Sequence, residues 1–179
     1  LTTPTPNQCD IRVTDLKTLI LDNIKQSPGI RYRELLRLSL LTNGALEYHI
    51  KILEKTQKIK VDREYGRRPR YYPLDMKAEE TSVVGHIRNR SSRQIVLFIL
   101  GHDLCTFGEI LEHMKKAPST ISWHLKRLLE SGIISVVHGR ELQLYKVSNS
   151  QLVSDVLYKY KDSFKDKLAS EYYEMFGNL

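Results

Sequence analysis

Cysteine is scarce in this 179-residue chain: Cys9 and Cys105 are the only two. Two such distant cysteines make no disulfide framework, and Cys105, among apolar neighbours, reads as a small buried hydrophobe. Long apolar runs are missing as well. The longest, "IVLFIL" at 95–100, falls far short of the roughly 20 residues needed to cross a bilayer. No signal-peptide pattern is visible, so the expected location is cytoplasmic and no membrane partner is expected. Signatures of catalysis are equally absent: there is no P-loop, glycine-rich dinucleotide turn, paired-carboxylate constellation or Ser-His-Asp arrangement. No catalytic residue and no cofactor are assigned, and an enzyme is not expected. Tryptophan occurs once, at Trp123.

What the chain does have is positive charge, unevenly spread. Lys and Arg number 28 against 21 Asp and Glu, a formal net charge of +7. Through residue 90 there are 17 basic and 11 acidic side chains, and beyond it 11 and 10. A concentrated excess suits a polyanionic partner better than a uniformly solvated surface does. The hydrophobic fraction of 41% is ordinary for a globular protein, and the length leaves room for one mid-sized domain or two small ones.

Two is the better reading, because the chain contains itself twice. Shifted by 75 positions it matches itself without a gap over about forty residues. Ile20 falls on Ile95, Tyr32 on Phe107, Glu34 on Glu109 and Leu46 on Ile121. Tyr48 then falls on Trp123, His49 on His124, Lys51 on Lys126, Leu53 on Leu128 and Ile59 on Ile134. Further on, Tyr72 aligns with Tyr145 if the first copy carries two extra residues.

Each copy shows the same order of elements. An apolar-periodic helix comes first, "LKTLILDNIKQ" or "RQIVLFILGH", followed by a short extended link. A second helix begins at "RYRELLRLS" or "TFGEILEHM", where Thr106 and Glu109 form a capping-box pattern. A third helix starts at Thr42 or Pro118 and stops near Gln57 or Gly132. Two β-rich runs around a polar tip close each copy. The expected fold is mainly α with small β-hairpins, α+β in class: two winged helix-turn-helix domains in tandem plus a long C-terminal helix. The boundaries read as a tail at 1–14, domain 1 at 15–76, a linker at 77–90, domain 2 at 91–148 and the C-terminal helix at 149–179.

The stretch "PSTISWHLKRLLESGII" resembles the third helix of ArsR-type winged-helix regulators, with its Ser-Thr opening, Ser-x-His-Leu core and closing Gly-Ile-Ile. "NGALEYHIKILEKTQKI" is similar to the version frequent in archaeal winged-helix proteins. The resemblance spans roughly residues 15 to 148 and implies a transcription regulator with two winged helices. Copy one departs from the pattern, with Gly44 and Glu47 where copy two has Ser119 and Ser122.

Helical geometry sorts the third helices into two faces. With Ile121 at zero, Leu125 lies near +40° and Leu128 near −20°, at about 100° per residue. Ser119, Trp123, Lys126 and Arg127 face away from that core side, with Thr120 and Ser122 also in the polar N-terminal part. The matching face of copy one carries Gly44, Tyr48, Lys51, Ile52 and Lys55, and Glu47 is a further candidate contact on the same helix. An α-helix fits the major groove, and helix-turn-helix proteins set the N-terminal part of such a helix against base edges. Trp123 either contacts DNA or folds back onto the wing or a neighbouring domain, and Tyr48 at the same place argues against chance. His49 and His124 sit at the core margin, where a structural hydrogen bond outranks metal ligation. His102 and Cys105 lack a second close pair, and no metal site is assigned.

The first wing tip, "REYGRRPR", offers Arg63, Arg67, Arg68 and Arg70 to the phosphate backbone or minor groove. The second offers Arg140, and Lys115 and Lys116 precede the third helix of copy two. In the C-terminal segment Val153, Leu157, Tyr160, Phe164, Leu168, Tyr172 and Phe176 recur every three or four residues. Such a stripe either packs across the chain's own domains or pairs with its twin in a homodimer; the homodimer is the favoured expectation, since it suits symmetric half-sites. The expected partner is double-stranded DNA, read in a sequence-specific way. The competing expectation is a tandem winged-helix scaffold that binds proteins without reading bases.

Overall fold

The computed structural model describes residues 8–63, 68–139 and 142–164, with side chains from residue 15 onward. The chain divides into two compact units, Leu1–Met76 and Lys77–Leu179. Both are mainly helical, with one small antiparallel sheet each.

Unit 1 comprises α1 (Gln8–Gln26), β1 (Ile30–Arg31), α2 (Tyr32–Ser39), α3 (Asn43–Lys55), β2 (Ile59–Asp62) and β3 (Arg70–Pro73). The sheet order is β1-β3-β2, so the short link after α1 adds a third strand to the expected hairpin. Ile20, Ile24, Leu35, Leu46, Ile50 and Leu53 bury their side chains between the three helices, and Ile30, Ile59 and Tyr71 close that core from the sheet. The α3 N-terminus is capped by the Thr42 hydroxyl, which accepts from the Ala45 amide at 3.4 Å.

Unit 2 repeats the plan. After α4 (Ala78–Ile87) come α5 (Arg90–His102), β4 (Cys105–Thr106), α6 (Phe107–Met114), α7 (Pro118–Glu130), β5 (Ile134–His138) and β6 (Gln143–Val147). The sheet order is β4-β6-β5. The capping box is formed: the Thr106 hydroxyl accepts from the Glu109 amide at 3.2 Å, and the Glu109 carboxylate accepts from the Thr106 amide at 2.7 Å. The repeat reaches the backbone itself. Leu40 and Lys115, 75 apart, both end the second helix with φ near 50°, and Gln57 and Gly132 both follow the third helix with positive φ.

Register corrects one alignment. Ile30 pairs with Tyr71 and Cys105 with Tyr145, while Val61 pairs with Tyr71 and Val136 with Tyr145. The counterpart of Tyr145 is therefore Tyr71, not Tyr72, and the first wing is one residue longer rather than two.

The stretch 77–90 is not a loose linker. It forms α4, whose Val83, Val84 and Ile87 are buried in unit 2, and only Arg88 and Asn89 separate it from α5. The Asn89 side chain caps α5, accepting from the Ser91 and Ser92 amides. Charged residues at and around the ends of α4, Lys77, Glu79, Glu80 and Arg88, hide a second half that is buried throughout, from Val83 to Ile87.

The C-terminal stripe also departs from expectation. Helix α8 runs from Ser150 to Lys159, capped by the Asn149 side chain, and a 3₁₀ turn follows at Lys161–Ser163. Val153, Leu157, Tyr160 and Phe164 are buried within unit 2, so these four do not present a dimer interface. Glu80 of α4 accepts from Lys159 Nζ at 2.8 Å and from the Tyr160 hydroxyl at 2.9 Å. The guanidinium groups of Arg88 and Arg93 lie 5.3 and 5.1 Å from the Phe164 ring centre. The physical reason is that α4 supplies, inside the same unit, the apolar partner that the stripe requires. Leu168, Tyr172 and Phe176 lie outside the described residues.

Candidate nucleic-acid interface

In unit 2, α7 buries Ile121, His124, Leu125 and Leu128 and turns Ser119, Thr120, Ser122, Trp123 and Lys126 to solvent, with Arg127 half-buried. Trp123 is 52% exposed. Its ring meets His124 edge-on at 4.8 Å, and the Arg127 guanidinium lies 4.8 Å from its centre. The indole therefore holds an arginine over its face on the outward side of the helix.

His124 ties that helix to α5: its Nδ1 shares a 2.9 Å hydrogen bond with the Ser92 hydroxyl. Burial, then the nearby Lys116 and Arg127, hold its pKa below the ordinary histidine value, so it is neutral at pH 7. Lys115 occupies the left-handed position that ends α6, and Lys116 donates to the Ser91 hydroxyl at 2.9 Å. Both precede the α7 N-terminus, the end at which the helix dipole and free amides favour anions. No α7 residue before Glu130 is acidic. Glu130 itself lies 3.8 Å from Lys126. Arg140 lies outside the described residues.

Unit 1 presents a different surface on the same backbone. Gly44, Glu47, Tyr48, Lys51 and Lys55 all face solvent on α3, and Tyr48 is 60% exposed. Glu47 and Lys51, however, pair with each other at 2.8 Å. The wing also changes character. Arg63 is engaged by both oxygens of Glu54, at 2.8 and 3.0 Å. Arg67 lies outside the described residues, and Arg68 is exposed.

Arg70 is a correction: it is only 6% exposed and donates to the Gly29 carbonyl at 2.8 Å. It begins β3, the central strand, and its side chain satisfies the Pro28-Gly29 turn instead of reaching outward. His49, the partner of His124 in the repeat, has no hydrogen-bond partner for its Nδ1, since Lys17 stands where unit 2 has Ser92. The Ser92–His124 bond and the α4–α8 clasp were not legible in the sequence. Only the Ser/Lys difference between the copies, read beside the matched histidines, could have suggested the first.

Among the described residues, no three His, Cys, Asp or Glu side chains converge as a metal-binding group. No described helix is long and apolar enough to cross a membrane.

Comparison with known proteins bears on both units. Residues 90–136 match the family model described as bacterial regulatory protein, arsR family, and residues 14–84 match an N-terminal helix-turn-helix domain. The chain carries two helix-turn-helix domains, the second of ArsR type. Over 142 residues, 79% of its length, it is 25% identical to an uncharacterised HTH-type transcriptional regulator of Methanocaldococcus jannaschii. It spans only 36% of that relative. Among solved structures, HlyU from Vibrio cholerae is similar over 47% of this chain and 90% of its own, at 18% identity and a TM-score of 0.42. Reduced HlyU gives 18% identity and a TM-score of 0.41. In the ArsR-type unit the outward surface is polar, cationic and aromatic. Such a surface can donate to phosphate oxygens, hydrogen-bond base edges and pack against a thymine methyl.

Proposed function

We propose that the protein is a sequence-specific regulator of transcription that binds double-stranded DNA through unit 2. Helix α7 enters the major groove, with Ser119, Thr120, Ser122 and Trp123 toward the bases and Arg127 steadied over the indole. Lys115, Lys116 and Lys126 contact phosphates. Base edges specify and phosphates position, so the two groups contribute differently. The observation that carries this reading is the α7 surface itself, outward-facing and free of carboxylates over its first three turns.

The regulator acts as a homodimer in this reading, because helix-turn-helix proteins meet symmetric half-sites in pairs. The wing of unit 1 is a minor contributor, since of its three described arginines Arg70 is buried and Arg63 is engaged by Glu54, which leaves Arg68 to reach a phosphate.

The test is selection of bound fragments from random duplex DNA, followed by a salt titration on the selected site. Three phosphate contacts per copy, from Lys115, Lys116 and Lys126, make affinity per copy fall roughly fortyfold between about 50 and about 200 mM salt. A flat salt response, or a selection that enriches no sequence, sinks the reading.

A further inference from the structure

The helix-turn-helix face of unit 1 lacks nearly everything that suits unit 2 to DNA. Leu40, at φ 54° in the turn before α3, is 90% exposed, and the same place in unit 2 holds Lys115. Leu41 stands where unit 2 has Lys116, and Leu38 beside them is exposed too. On α3, Gly44, Tyr48 and Ile52 form one row at four-residue spacing, and Glu47, Lys51 and Lys55 form the next. A Cβ at Gly44 would have nothing within 4 Å, so that end of the helix stands open. Unit 2 sets Ser119, Trp123 and Arg127 against the first row, and Ser122, Lys126 and Glu130 against the second. Exposed leucines beside an apolar row do not interact with phosphate, and Glu47 would meet a nucleic acid backbone with like charge.

We propose that this face of unit 1 is a self-association surface, on which α3 packs antiparallel against α3 of a second copy of the chain. The charge pattern selects the occupant. In a two-fold pair every contact occurs twice with the roles exchanged, so a self-complementary face needs an acid and a base on one row. Glu47 and Lys51 meet that requirement: they pair along the helix at 2.8 Å, and both are exposed enough to exchange partners across the axis. Glu47 of one copy faces Lys51 of the other. Tyr48 and Ile52 fill the seam, the open space at Gly44 admits the far end of the twin helix, and Leu38 and Leu40 extend the apolar contact at both ends. The C-terminal stripe does not compete for this role with its first four members, which are buried inside unit 2. The surface does not depend on the DNA reading, since it concerns a different unit.

Sedimentation equilibrium of the full chain without DNA tests it, with circular dichroism as the check on folding. The wild type is expected to be a concentration-dependent dimer. Glu47→Lys and Lys51→Glu each raise the dissociation constant about tenfold or more, because like charges then face each other across the axis. The double variant E47K/K51E returns it to within about threefold of wild type, since exchange restores both cross-axis pairs. The exchange also restores the pair within each helix, so the rescue supports the surface only where the single variants keep wild-type helicity and thermal stability while losing the dimer. A monomeric wild type, single variants that fold and dimerise normally, or a double variant no better than the singles overturns the surface. A tighter DNA complex with E47K, as an added cation on a DNA-facing helix would produce, also overturns it. Loss of DNA binding with the dimer intact sinks the DNA reading alone. An intact DNA complex from a protein that never dimerises sinks this surface and the dimeric form of the regulator, and leaves the α7 contacts standing.

Discussion

At residue 40 the turn before the third helix carries a leucine, and at residue 115 the same turn carries a lysine, both on left-handed backbone. Around them the pattern continues: Leu41 against Lys116, Glu47 against Ser122, Ile52 against Arg127, Lys17 against Ser92. The two third helices begin and end at corresponding residues. One backbone plan therefore supports two surfaces of opposite character, and the core positions that define the fold are not the positions that define the task. Family likeness reports the former, and only the outward residues report the latter.

The comparison breaks most sharply at Arg70, whose register partner in unit 2 is Leu144: Arg31 pairs with Arg70, and Thr106 with Leu144. A buried guanidinium that serves a turn carbonyl should be costly to remove. Arg70→Ala is expected to destabilise unit 1 by about 2–3 kcal/mol, while the exposed Arg68→Ala stays within about 0.5 kcal/mol. Arg70→Leu, which copies unit 2, falls between them because it restores apolar contact but no donor. The units can be followed separately in urea: Trp123, the sole tryptophan, reports unit 2, and far-UV circular dichroism reports both. If R70A proves as harmless as R68A, Arg70 does not hold the Pro28-Gly29 turn.

The next test concerns the outward rows. Arg127→Ala is expected to weaken binding to a selected DNA site by about 2 kcal/mol, roughly thirtyfold, and to relax preference at one base position. Trp123→Ala should follow it in part, because the indole holds that guanidinium. The matched changes in unit 1, Ile52→Ala and Tyr48→Ala, should leave the affinity for a single half-site within about threefold. Equal losses from both units, measured by fluorescence titration at one salt concentration, would erase the proposed division.

A smaller effect separates the two histidines by acidity. Burial first, then neighbouring cations, depress His124 below the ordinary value, and His113 is depressed by burial, His102 and Lys115. Both therefore bind protons more weakly in the folded chain than in the unfolded one. The stability they confer is complete above about pH 6.5 and is lost as pH falls through their folded values. The urea midpoint reported by Trp123 should drop between about pH 7.5 and about pH 5. Ser92→Ala should lower the unfolding free energy of unit 2 by about 1 kcal/mol at the upper pH, through the lost buried hydrogen bond. A midpoint that is flat with pH contradicts a neutral, buried His124.

Much of this architecture was legible because helices advertise their buried face. The spacing of Ile121, Leu125 and Leu128, the Thr106–Glu109 pair and the stops at Gln57 and Gly132 are local properties, and local rules reach them. The outward faces of α3 and α7 followed from the same arithmetic. What escaped depended on distant partners. Arg70 sits four residues after a glycine tip, and strand register alone decides whether it points out or in. The Val153–Phe164 stripe needed a partner, and α4, read as a linker, was the partner overlooked. One cause underlies the linker and the stripe: a helix flanked by charged residues has the composition of solvent-exposed chain, and the surface it covers then looks free.

The finest distinction between the copies lies at residue 17. His49 Nδ1 is buried without a hydrogen-bond partner, and burial and then Lys17 hold its pKa below the ordinary value. In unit 2 the same ring nitrogen meets Ser92. An unsatisfied buried polar atom costs about 1–3 kcal/mol, and a serine hydroxyl at position 17 could recover part of that. Lys17→Ser is therefore expected to stabilise unit 1 by up to about 1 kcal/mol, with no change in the Trp123-reported transition of unit 2. Removal of the cation also lets the folded His49 bind its proton more readily, so the acid loss of unit 1 should become shallower in the same variant. The reverse change, Ser92→Lys, should cost unit 2 a similar amount and steepen its acid loss. If K17S brings neither gain, the His49 ring is satisfied by another route, and the two histidines are matched in sequence without being matched in energy.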